Sequence, residues 1–231
     1  MELELHPIQA KILNTLLFKT EARFSDLNIE GLTSDHFVFH VNRILALGLV
    51  EKSATGKYSL TTVGKEYANR FDTEKAKIEK QPKAGVLLVC SRRNGRSFEY
   101  LIQQRLKQPY YGYFGFPTGK IRFGETILET ASRELKEETG LSASLSLKAV
   151  KHKMDYSAEN VLLEDKFFFL FHCTNTKGAL LEKFEGGCNM WASKKKVLAL
   201  DDLFDGVGES IELTKSKEIK FVETKYKVKG F

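Results

Sequence analysis

Three carboxylates, Glu134, Glu137 and Glu138, stand within five residues of one another in the stretch GKIRFGETILETASRELKEETGL (119–141), with Arg133 beside them and Glu125 upstream. The stretch predicts a helix from about Glu125 to Thr139, on which like charges three or four positions apart repel by roughly a few tenths of a kcal/mol per pair. At ~100° per residue, Glu134 and Glu138 fall within about 20° of Ile127 and Glu137 about 80° from it, whereas Glu129, Ser132 and Lys136 take the opposite, solvent face. Carboxylates turned partly toward a core are costly unless they are paired or bound to metal. A divalent cation resolves the conflict, and oxygen-only donors select a hard ion, Mg²⁺ or Mn²⁺. Such an ion polarises a phosphoryl oxygen, orients an attacking water and neutralises a leaving phosphate, which are the needs of hydrolysis at phosphorus.

The spacing is specific: Gly119, five residues, Glu125, seven residues, Arg133-Glu134-Leu135, one residue, Glu137-Glu138, one residue, Gly140-Leu141. It resembles a complete Nudix box. The resemblance implies an α+β fold, an α/β/α sandwich with a mixed sheet. It also implies a pyrophosphohydrolase that cleaves a nucleoside diphosphate linked to another moiety by attack of a metal-activated water. Glu134, Glu137 and Glu138 would be the metal ligands, Glu125 would support them, and Arg133 would orient the carboxylates by charge-assisted hydrogen bonds. A general base or further ligand of variable position is implied as well; Glu164, just before the apolar run KFFFLF, is the first candidate and Glu159 the second. Related ADP-ribose hydrolases tend to carry a proline beyond the box. This chain has none after Pro117, and Tyr156 stands in that neighbourhood, as a tyrosine does in dinucleoside polyphosphate hydrolases, so the substrate stays open.

Outside the box, Arg105 at the end of LIQQR and Lys120 are candidate phosphate contacts, with a surface role as the alternative for each. The loop aromatics Tyr110, Tyr111, Tyr113, Phe114 and Phe116 either stack a base or cover the core, Phe116 being the substrate-side candidate. Trp191 is read as packing. His152 and His172 are read as strand residues, since neither has a second His or Cys at a ligand spacing. Cys90, Cys173 and Cys188 show no CxxC pattern and are odd in number, which argues against a disulfide framework or thiolate zinc site.

The elements that must position these groups form two domains. Residues 7–19 predict a helix begun by Pro7, FSDLNIEGL a short helix, and TSDHFVFHVNRILALG a third helix capped by Thr33 or Ser34 and stopped by Gly48. LVEKSATGKYSLTTVG then predicts two short strands. Three helices and a hairpin resemble a winged helix-turn-helix domain over 1–72, and 73–83 (TEKAKIEKQPK with its neighbours) reads as a polar linker to a hydrolase domain at 84–231. In the second domain AGVLLVCSRR, FEYLIQQR, SASLSLKAVKHKM and EDKFFFLFHC predict strands, LKQPYYGYFGFPTGK a loop, and KKVLALDDLF a helix. A winged helix opens a second function, nucleotide-sensing transcriptional regulation. The third helix, however, offers Asp35, His36, His40, Asn42 and Arg43, and the hairpin Lys52 and Lys57, too few cations for strong DNA binding by one copy. A homodimer would double the contacts.

The 231 residues suffice for two domains with cores. The net charge of +6 resides in the second part, since residues 1–80 hold 11 basic and 11 acidic residues and residues 81–231 hold 25 and 19. That excess suits an anionic ligand of nucleotide type. No apolar run reaches the roughly 18 residues of a membrane span, and MELELHPIQA lacks the features of a signal peptide, so a cytoplasmic protein without a membrane partner is expected.

Overall fold

The structure, a computed structural model, describes residues 5–29, 32–72, 74–75 and 77–228. The chain divides into two compact units, Met1–Lys80 and Gln81–Phe231.

In the first unit α1 (Pro7–Leu17) is capped reciprocally: the His6 imidazole accepts from the Ile8 amide and the Gln9 carboxamide oxygen accepts from the His6 amide. It is followed by α2 (Phe24–Leu27) and α3 (Ser34–Ala46), after which Gly48 turns the chain at φ 68°. Next come the antiparallel pair β1 (Val50–Lys52) and β2 (Tyr58–Leu60), then α4 (Thr62–Ala68), which the sequence reading missed. Ile12, Leu13, Leu16, Phe37, Val41 and Ile44 fill the core. His40 belongs to this interior and not to the exposed face assigned to it from the sequence: it is buried, within 3.4 Å of the Gln9 carboxamide nitrogen, and stacked on His6. The expected linker is also only partly irregular. Residues Lys77–Ile78 (β4) pair with β3 (Phe71–Asp72), anchored by the buried Phe71, while residues 73 and 76 lie outside the described residues.

The second unit is built on a mixed sheet. Its strands are β5 (Lys83–Asn94), β6 (Ser97–Arg105), β7 (Phe114–Gly115), β8 (Thr118–Lys120), β9 (Ser142–Tyr156), β10 (Leu162–Lys177), β11 (Lys183–Phe184), β12 (Gly187–Ser193) and β13 (Lys220–Lys227). Helix α5 (Ile127–Thr139) precedes β9; α6 (Lys194–Leu198) and α7 (Val207–Leu213) follow β12. The order is β11-β12-β6-β5-β10-β9-β13, with β7 on β6 and β8 on β5; β5/β10 and β9/β13 are parallel. Alternation along β5 explains its continuous apolar run. Val86, Leu88 and Cys90 pack with Ala131 and Leu135 of α5, while Val89, flanked by Leu87, packs with Val197, Val207 and Ile211 of α6 and α7. Helices therefore cover both faces, the mixed α+β architecture expected from the sequence. The loop 106–120 holds β7 and β8, which were not foreseen, and β12, α7 and β13 were missed too. β13 alternates exposed and half-buried residues at an edge and carries no apolar stripe. Among the described residues no helix is long and apolar enough to cross a membrane.

On the α5 side of the sheet, β9, β10 and β13 are clamped by His152. Its ring stacks on Phe167, its register partner, at 4.1 Å, while Nδ1 meets Glu223 of β13 at 2.6 Å and Nε2 meets Asp165 at 2.8 Å. Hydrogen bonding to Glu223, then to Asp165, raises the His152 pKa above its ordinary 6.5 against the opposing effect of burial. The folded state thus holds this proton more tightly than the unfolded chain, so the stabilisation is complete below about pH 6.5 and is lost as pH rises through the raised value. His152→Ala is expected to lower stability at pH 6 by on the order of 1 kcal/mol, about 2–4 °C in Tm, and by distinctly less at pH 9. Equal losses at both pH values in thermal unfolding would show that the ring only packs.

Candidate active site

The carboxylate helix α5 is fixed by local chemistry. Thr126 is its N-cap, with Oγ1 accepting from the Glu129 amide and the Glu129 carboxylate accepting from the Thr126 amide at 2.8 Å. Gly140, at φ 73°, ends it in the left-handed conformation that glycine adopts without strain. The helix starts two residues later than the sequence suggested, which leaves Glu125 in the preceding turn. From there it accepts two hydrogen bonds from Arg133, Nε at 2.5 Å and Nη2 at 2.7 Å. That pairing is the main reason the Glu125 carboxyl falls to about 2, with Thr130 and the Arg122 amide adding to it.

Arg133 also donates to Glu134 at 2.7 Å, to Glu137 at 3.2 Å and to the Lys120 carbonyl at 3.2 Å. Glu134 runs across Gly119, where a Cβ would overlap its Cγ and Cδ, so the absence of a side chain at 119 makes room for the carboxylate. Glu138 accepts from Gln103 Nε2 at 3.0 Å. Gln103 in turn leans on Asn189, whose amide nitrogen donates to the Glu138 and Leu181 carbonyls at 2.7 and 2.8 Å. Burial pushes the Glu138 carboxyl up, the Gln103 bond opposes this, and repulsion from Glu134 reinforces it. Neither Gln103 nor Asn189 was named from the sequence; they are 35 and 51 positions from Glu138, and nothing local marks them.

The three expected ligands are not gathered at one point. Glu134 and Glu138 line a cavity of about 590 Å³; Glu137 does not, being half-exposed and drawn to Arg133 and to Arg122 at 3.4 Å. Among the described residues no group of three or more His, Cys, Asp or Glu side chains is assembled to hold a metal. The donor set nonetheless suits a hard cation. Two carboxylates enter one cavity across a glycine cradle, one of them resisting ionisation through burial and mutual repulsion, and a third stands one turn away.

Among the described residues, seven cationic side chains but only four carboxylates line the cavity. Arg105 is there with its guanidinium tied to the Pro109 and Gln108 carbonyls at 2.6 and 3.1 Å, which fixes it in place. Lys120 stands exposed at the rim, and Phe116 and Tyr110 are buried in the wall. Glu164 lies on the wall as well, held by Lys83 at 3.0 Å and by Lys166. Glu159, Tyr156 and Trp191 are not among the lining residues; Glu159 sits in an exposed turn, and Trp191 packs under the Arg92 guanidinium at 4.4 Å. Lys151, Lys153 and Lys166 line the cavity without having been foreseen. The alternation in KHK, which sends Lys151 and Lys153 to one face, was the available signal.

Gly119→Ala is expected to displace Glu134 and to cost about 1–3 kcal/mol, the usual consequence of forcing a methyl into packed space. Unchanged denaturant unfolding would mean that the Glu134 side chain leaves the cradle freely.

The NUDIX domain profile matches residues 80–213. The ADP-ribose pyrophosphatase of Methanocaldococcus jannaschii is 32% identical over 88 residues, which are 36% of this chain and 50% of that protein, so the chain spans about half the length of this relative. The NUDIX domain of Shewanella oneidensis NrtR, solved in complex with ADP ribose, superposes with a TM-score of 0.51 at 19% identity and covers 66% of this chain and 97% of that one. The MutT protein of Bacillus halodurans gives a TM-score of 0.50 at 23% identity, covering 63% and 90%. These two likenesses establish a shared fold, and with the profile spanning more than half of its residues the chain belongs to the Nudix family.

Proposed function

We infer that the chain is a divalent-metal-dependent pyrophosphohydrolase acting on a nucleoside diphosphate linked to another moiety. The observation that carries this reading is the entry of Glu134 and Glu138 together into a cavity where cationic side chains outnumber the other carboxylates, Glu164 and Asp205. Glu134 and Glu138 would hold Mg²⁺ or Mn²⁺, joined by Glu137 once it leaves Arg122. The bound ion supplies charge neutralisation and a polarised phosphoryl oxygen. Arg133, bridging Glu125 and Glu134, sets the direction of the carboxylates, and Gln103 holds Glu138 in place. Arg105 and Lys120 would receive phosphate oxygens, and Phe116 and Tyr110 would offer an aromatic wall to a base. Glu164, already engaged by two lysines, would act as a base only if one of them moved away. The names of the relatives favour ADP-ribose as the first substrate to try, although the chain lacks a proline beyond the box.

For residues 1–72 we read a winged helix-turn-helix, supported by the order of three helices and a hairpin, joined through 73–83 to the hydrolase domain at 84–231. The outer face of α3 shows Val38 and Phe39, 40% and 65% exposed, beside Asp35 and Arg43. An apolar face with a single cation supports a protein or homodimer contact over DNA reading, and hence the enzyme over the regulator.

The test is a hydrolysis screen over ADP-ribose, nucleotide sugars, dinucleoside polyphosphates and nucleoside triphosphates with and without Mg²⁺ or Mn²⁺. Turnover should require the metal, and Glu138→Gln should lower it by at least about a hundredfold, roughly 2.7 kcal/mol of barrier. Turnover in EDTA, or a fully active Glu138→Gln, contradicts the assignment.

A further inference from the structure

Three strands bring three lysines into one row. Register pairs Lys83 of β5 with Lys166 of β10, and Lys166 with Lys153 of β9. Alternation sends all three to the sheet face opposite α5, and all three line the cavity. Like charges directly opposite on neighbouring strands destabilise a sheet unless something compensates. Compensation within the protein is partial. Glu164 serves both Lys83 and Lys166, and Asp155 serves Lys153 at 3.2 Å, so three ammonium groups share two carboxylates. Both carboxylates are buried, 7% and 1% exposed, and the remaining contacts are with rings: Lys153 lies over Phe204 and Tyr226, and Lys166 over Tyr110. Burial, then repulsion from Lys153, pushes the Lys166 ammonium down to about 8.

The row is set apart from the carboxylate helix. Gly119, against which Glu134 lies, pairs with Val86, three residues along β5 from Lys83. At ~3.3 Å per residue and ~4.8 Å per strand, the backbones of Lys83, Lys166 and Lys153 sit about 11, 14 and 17 Å from Gly119. A phosphate one sugar removed from the diphosphate matches a separation of that order.

We propose that the Lys83–Lys166–Lys153 row is a second anion subsite that takes a phosphate monoester carried by the substrate in addition to its scissile diphosphate. The choice of substrate rests on the hydrolase reading; the existence of the subsite does not. Two experiments keep these apart. In metal-free buffer, ribose 5-phosphate added to the full chain should shift the amide resonances of β9 and β10 around 153 and 166, whereas ribose should not. Lys153→Gln with Lys166→Gln should abolish the shifts. With metal, KM is compared for ADP-ribose and for its derivatives phosphorylated on the adenosine ribose or on the distal ribose. One derivative should show a KM at least about tenfold lower, roughly 1.4 kcal/mol, and which one it is identifies the half of the substrate that meets the row. The ratio should fall toward unity in the double variant. Because removing buried partners of Glu164 and Asp155 endangers folding, Lys83→Gln, on the half-exposed member of the row, serves as the second variant and should reduce the same ratio. Failure of ribose 5-phosphate to bind, or a preference that survives these substitutions, overturns the subsite, and hydrolysis of ADP-ribose alone would leave the enzyme reading intact while doing so.

Discussion

The second unit depends on one guanidinium. Arg133, 15% exposed, faces Glu125, Glu134, Glu137 and the Lys120 carbonyl at once, and it makes tolerable three carboxylates that α5 and its leading turn would otherwise crowd together. Its planar fork pairs with both oxygens of Glu125, which a lysine cannot imitate. Paired this way, Glu125 stays ionised, and its charge is spent on Arg133 and not on the cavity. What remains for the cavity is Glu134, steered across Gly119, and Glu138, held by Gln103. Arg133 and Arg122 leave the carboxylates in excess, and the arrangement aims two oxygen donors where a cation can reach them.

The rest of the unit follows from a sheet whose two faces do different work. On the α5 side, apolar packing and the His152 clamp tie β10, β9 and β13 together. On the other side, the ends of β5, β9 and β10 carry lysines into the cavity while their middles pack on α6 and α7. β5 pairs with β8 over 85–87 and with β6 over 91–94, and residues from around this exchange of partners line the cavity, so helix carboxylates and sheet cations share one space. Opposite charges at opposite ends suit a ligand that is anionic along its length and needs a cation at one end.

What could be read from the sequence is what local chemistry determines. The helix α5 as far as Thr139 and the half-buried setting of Glu134 and Glu138 follow from spacing within some twenty residues at 3.6 per turn, although its start at Thr126 was placed too early. The mixed α+β fold was legible through the family resemblance that the box carries, and the hairpin of the first unit through its local turn. What escaped was set by register and by distant partners. The lysine row exists only once three strands from separate parts of the chain align, and Gln103 and Asn189 meet Glu138 through tertiary contact alone. Angular reasoning placed Glu137 at the edge of the apolar face, but Arg122 lies in a loop whose path no helical wheel contains, and it draws the carboxylate outward. His40 was misread because its burial depends on Gln9 and His6 from another helix and its cap.

We propose that Glu134 and Glu138 are metal ligands held in readiness by Arg133 and Gln103. Anomalous diffraction from crystals of the protein grown with Mn²⁺ tests it most directly. The expected result is an anomalous peak in contact with the carboxylates of both residues, with Glu137 turned from Arg122 toward it. Crystals at saturating Mn²⁺ with no peak at α5, and with Glu134 still on Arg133 and Glu138 still on Gln103, would contradict it.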